Sequence, residues 1–144
     1  MRHTLLAIAL TFAAPAVAQE KTVTVRLTFD PAAAAAMLEK GEWVTVSTYF
    51  FGDPAPGNTL PEDEMGQVYL GAETVTLWPA DQTIQIGGSL GAAPMSSVIA
   101  PSLNVNVFSA RFSTEDNILD CGIVDGPFAD MAASMQTINC TLIQ

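Results

Sequence analysis

The chain contains a single histidine, His3, only two cysteines and only five lysines and arginines. Its one clear apolar run without charge, Leu5 to Phe12, lies near the N-terminus. Each of these scarcities removes a class of chemistry. The run follows Arg2 and precedes small residues at Ala16 and Ala18, the order expected of an export signal cleaved before Gln19. It is shorter than the roughly 20 residues that a helical anchor needs, and no second run of that kind follows, so no membrane anchor is expected. No cysteine follows the cleavage point that could carry a lipid. The expected organisation is therefore a signal peptide at 1–18 and one domain at 19–144, working in the periplasm or secreted.

Cleavage removes His3. A mature chain without histidine excludes Ser-His-Asp and Cys-His catalytic sites and histidine-ligated metals, because imidazole is the usual base near neutral pH and the commonest metal ligand. Scarcity of positive charge excludes another class. Fifteen acidic residues face only Lys21, Arg26, Lys40 and Arg111 in the mature chain, which repels nucleic acid and anionic lipid surfaces. The surplus keeps the protein in solution; a cationic ligand or partner is the sharper alternative.

Cys121 and Cys140 form an even pair in an exported chain, and they lack the Cys-x-x-Cys spacing of a redox site. A structural disulfide is the expectation. With the only histidine cleaved and the only thiols oxidised, the two side chains that most often drive catalysis near neutral pH are both gone.

What remains is a chain patterned for strands. Residues 22–29 alternate Val23, Val25, Leu27 and Phe29 with Thr22, Thr24, Arg26 and Thr28, as a strand with one face on a core does. Asp30-Pro31 supplies an N-cap and first-turn proline, and Lys40-Gly41 a stop, so one short helix is expected over 31–40. Strands are expected over 42–51, 67–70, 73–77, 82–86, from 103 onward, 118–124 and 137–143. The turns between them include Pro79-Ala80-Asp81, Gly87-Gly88 and Asp125-Gly126-Pro127. An irregular connection is expected over 92–101, and a helical turn over 129–136. In the strand from Leu103 the apolar phase changes, from Leu103, Val105 and Val107 to Phe108, Ala110 and Phe112, which suggests a bulge near Phe108 or burial of both faces. Regular short strands of this kind point to an antiparallel β-sandwich of about seven strands with one short helix, broadly immunoglobulin-like or transthyretin-like.

Several residue groups are candidates for function. Trp43, Tyr49 and Phe51 share one face of the strand 42–51, where aromatic rings can stack on sugar rings or anchor a protein partner. The competing expectation is that neighbouring strands or the helix cover them, with Trp78 a core-edge aromatic for the same reason. Asp53, Glu62, Asp63 and Glu64 cluster in a loop that could hold a hard cation or meet a partner, without the ligand spacing of a calcium loop. Glu115, Asp116, Asp120 and Asp125 share that weakness. Met131 and Met135, four apart, would share a helix face, yet core filling outweighs copper binding in a chain without histidine. No metal site and no cofactor is assigned. The composite expectation is an exported, non-catalytic binding or structural module for a protein or small-molecule partner. The alternatives are a hydrolase inhibitor acting through the acidic loop and, behind it, a carboxylate-based hydrolase.

Overall fold

The computed structural model describes residues 22–144, so the expected signal peptide lies outside the described residues. Eight strands form two four-stranded sheets packed as a sandwich. One sheet has the order β4-β1-β8-β6, built from β1 (Val23–Phe29), β4 (Gln82–Ile86), β6 (Leu119–Cys121) and β8 (Gln136–Leu142). The other has the order β3-β2-β5-β7, built from β2 (Val44–Pro54), β3 (Val68–Leu77), β5 (Val98–Ser109) and β7 (Val124–Pro127). All pairings are antiparallel except β1 with β8, which run parallel from Val25↔Gln136 to Phe29↔Cys140. The sandwich is thus as expected, with one parallel pair that local pattern could not reveal.

The core follows from period-two alternation. Val23, Val25 and Leu27 of β1, with Ile138 and Cys140 of β8, face Val44, Val46 and Phe50 of β2 and Leu103, Val105 and Val107 of β5, and all are buried. Each such aliphatic side chain contributes about 1.5–3 kcal/mol relative to exposure. From Leu103 onward β5 keeps its phase: Ser109, not Phe108, continues the buried face, and Phe112 lies beyond the strand, 68% exposed. The expected bulge near Phe108 is absent. The extra residue lies earlier in β5 instead: between the pairs Phe51↔Ser102 and Asp53↔Ile99, Gly52 of β2 opposes both Ala100 and Pro101. Gly52 is packed so closely that a Cβ there would lie 2.8 Å from Val98 Cβ.

Helix α1 (Pro31–Lys40) occupies the expected residues because its end signals are local. The Asp30 carboxylate accepts from the Ala33 N–H at 2.6 Å, and Pro31 begins the first turn. At the other end Gly41 adopts φ 62°, so that its N–H reaches Leu38 O and the N–H of Glu42 reaches Met37 O, the double bond of a Schellman stop. Ala33 and Met37 bury the helix against the core.

Four further expectations are corrected. The strands expected over 67–70 and 73–77 are one strand, β3, which passes through Gly71 at φ 141° and leaves Leu70 without a partner. The single strand expected over 118–124 is divided between the two sheets, with Cys121 opposite Cys140 and Val124 opposite Val105. The turn expected at Asp125-Gly126-Pro127 is therefore strand β7, and Pro127 is tolerated because it ends an edge strand. A second helix, α2 (Phe128–Ala132), stops before Met135, so Met131 and Met135 share no helical face.

The disulfide Cys121–Cys140 joins directly opposed residues of β6 and β8. Such a bond suggests an oxidising, extracytoplasmic environment. The pair is 19 positions apart, and in the chain-entropy model its removal costs about 3 kcal/mol. The double variant Cys121→Ala/Cys140→Ala is expected to show that loss in urea titration; an unchanged midpoint would mean that the bond adds nothing to stability.

Candidate functional site

The outward-pointing residues of the β3-β2-β5-β7 sheet are set by register. From one end, the rows across the sheet read Tyr69–Phe51–Ser102–Pro127, then Ala72–Tyr49–Asn104–Asp125, then Thr74–Ser47–Asn106, then Thr76–Thr45–Phe108. Trp43 and Trp78 follow at the entrance to β2 and the exit of β3. One sheet face thus carries six aromatic side chains in two groups, separated by hydroxyl and amide side chains.

Neither expected cover is present. α1 packs against β8, in the other sheet, and the outer rings stay open. Trp43 is 37% exposed, Tyr49 39%, Tyr69 53% and Trp78 48%. Trp78, expected at the core edge, belongs to this face. The rings are organised among themselves. Tyr49 lies 5.1 Å from Tyr69 and 5.8 Å from Phe51, with interplanar angles of 33° and 34°, so the three form a gently curved platform. Trp43 and Trp78 meet edge to face at 5.3 Å and 84°. Sequence reasoning found Trp43, Tyr49 and Phe51 by alternation on one strand; Tyr69, Trp78 and Phe108 join them only through register.

The outer face of the other sheet is the natural comparison. There Thr24 bonds to Gln85 and Thr28 to Asn139, Arg26 is exposed, and no aromatic ring interrupts the polar surface. Both faces have the hydroxyl-rich chemistry of a solvated sheet; one alone carries rings.

The acidic candidates do not converge. Among the described residues no group of three or more Asp, Glu, His or Cys side chains is placed to hold a metal ion. The Asp63 carboxylate folds back on its own turn, accepting from the N–H groups of Met65 and Gln67, both at 2.9 Å. Asp53, in β2, and Glu62 and Glu64 are exposed. Of the second group, Asp125 accepts from Asn104 at 3.2 Å on the aromatic face, while Asp120 lines a shallow, open trough of about 740 Å³ with Asp30, Asn117 and Thr141. Among the methionines, Met37 is buried, whereas Met65, Met95 and Met135 are exposed in separate places.

One acid has a role that no sequence pattern signalled. Glu42, directly after the helix stop, is fully buried. Its two oxygens accept six hydrogen bonds: from the N–H groups of Trp43, Phe112, Ser113 and Thr114, and from the hydroxyls of Ser113 and Thr114, at 2.9–3.1 Å. Burial alone would raise its pKa, but the donors of Ser113, Phe112 and Trp43 outweigh it and lower the value to about 2. The loop after β5 is thereby tied to the start of β2, beside Trp43. Glu73, facing inward on β3, shows the same balance: burial works upward, and the bonds from Gly87 and Ser89 bring its pKa below the ordinary value.

Comparison of the chain with family models, with curated proteins and with solved structures returns no match.

Proposed function

We propose that this chain is a non-catalytic binding module acting in the periplasm or as a secreted protein, and that its ligand docks on the outer face of the β3-β2-β5-β7 sheet. The observation that carries this reading is the asymmetry of the two outer faces. Exposed aromatic rings are costly to leave in water and are common anchors of recognition, and here six rings, four exposed and two half-buried, gather on one rigid sheet while its counterpart has none. Export supports it too, since the mature sequence then lacks histidine and free thiol. The inhibitor reading through the acidic loop has less behind it, because Asp63 is engaged with its own turn.

A test immobilises the protein, passes an envelope or culture-medium extract over it, and compares the wild type with a Tyr49→Ala/Tyr69→Ala variant and a Trp43→Ala/Trp78→Ala variant. Retained material is expected to fall at least tenfold with either variant. Met135→Ala, an exposed change away from this face, is expected to leave retention unchanged. Identical retention by wild type and both face variants would refute the assignment of this face.

A further inference from the structure

Resting on that binding face, we infer that its ligand is an uncharged polysaccharide chain lying along the strands. The order of chemistries on the face leads to this. A protein interface places its apolar residues at the centre and its polar residues at the rim. Here the arrangement is reversed: Tyr49, Phe51 and Tyr69 gather at one end, Trp43, Trp78 and Phe108 at the other, and Ser47, Thr74 and Asn106 lie between. Two hydrophobic ends and a hydrogen-bonding middle do not make a dehydrated protein contact. They do match a chain of sugar rings, each of which offers apolar C–H faces for stacking and equatorial hydroxyls for hydrogen bonds.

Length and charge narrow the class. From Trp43 to Tyr49 along β2 is six residues, about 20 Å at the strand rise, too long for one sugar ring and suited to an oligomer. The row Thr74–Ser47–Asn106 holds no ionic side chain; Asp125 ends the row of Tyr49 at the β7 margin, where it accepts from Asn104, and Asp53 stands at the far end of β2. Single-stranded nucleic acid also stacks on aromatic platforms, but it requires a cationic groove, and none of the four rows of this face contains a lysine or arginine. A polyanionic glycan is disfavoured by the same shortage. The platform is rigid, since its rings stand on the two central strands and one edge strand of a packed sheet, so little conformational freedom is lost when a ligand settles on it.

The sequence contains two tryptophans, Trp43 and Trp78, and both lie on this face, so intrinsic emission reports its occupancy directly. Titration with soluble neutral polysaccharides (a mixed-linkage β-glucan, a xylan, a mannan and a dextran) is expected to shift the emission and protect it from acrylamide quenching with at least one of them. The same polysaccharide set in a native gel is expected to retard the wild type. Retardation should survive 1 M salt, persist in Tyr49→Phe/Tyr69→Phe, and drop at least tenfold in Tyr49→Ala/Tyr69→Ala, with each variant first shown to unfold at the wild-type urea midpoint. Silence with all four polysaccharides, retardation lost in salt, or retardation indifferent to the alanine variants would each overturn the inference. If the glycans are silent while the alanine variants still lose material in the extract experiment, the glycan class falls and the binding face stands; if the alanine variants change neither, both fall.

Discussion

Replacing Glu42 by alanine is expected to lower the free energy of unfolding by about 3 kcal/mol, since six donors lose a charged acceptor inside the protein. Glu42→Gln is expected to do little better, because one of its two acceptor positions becomes an NH2 group directed at N–H and O–H donors. The acid dependence provides a second, independent reading. The carboxyl titrates near 2 in the folded protein against 4.5 ordinarily, so the stability it contributes is fully present above pH 4.5 and is lost as the pH falls through 2. Over that window the wild type should lose about 2 to 3 kcal/mol more than Glu42→Gln does. Urea titrations at pH 7, 4.5, 3 and 2.5 measure both quantities. Parallel pH curves for the two proteins would show that Glu42 is not the group whose ionisation is linked to folding. Glu73, also held below its ordinary pKa, steepens the acid slope in both proteins and so cancels in the comparison.

Phe50→Ala is expected to cost about 3–5 kcal/mol, and Phe51→Ala about 1 kcal/mol or less. The two rings are adjacent in sequence and opposite in fate. Phe50 is fully buried between the sheets, 6.4 Å from Phe128 of α2, whereas Phe51 lies on the outer platform against Tyr49. A strand slipped by one residue would exchange them, so the ratio of the two losses tests the register of β2 more directly than either value alone. Equal losses would contradict the pairing of Phe50 with Leu103 and Gly71.

These examples also show which parts of the molecule were legible in its sequence. α1 was readable to the residue because Asp30, Pro31 and Gly41 act through bonds to atoms only a few positions away. β4 was readable because turn residues bound it on both sides. β6 and β7 were not, since residues 118–124 form a continuous strand-like pattern and only distant partners, Cys140 and Val105, divide it between two sheets. The same limit applies to the site. Alternation placed Trp43, Tyr49 and Phe51 together, but whether a neighbour covered them depended on where α1 docked, and their companions Tyr69 and Phe108 came from strands whose register is set by the whole sandwich. Glu42 gave no signal because most of its donors lie about 70 positions along the chain.

The parallel pairing of β1 with β8 has a consequence for how the molecule comes into being. Thr28 bonds to Asn139 across 111 positions, so β1 is held between β4 and a strand completed only at Leu142. Until β8 emerges, β1 has one open edge and the core has no Ile138 or Cys140 to close it. A chain that emerges from its N-terminal side would remain incompletely folded until β8 had emerged, and the sandwich would close only then. In that order of events Cys140 meets Cys121 late, so oxidation seals a sandwich whose other strands are already in place.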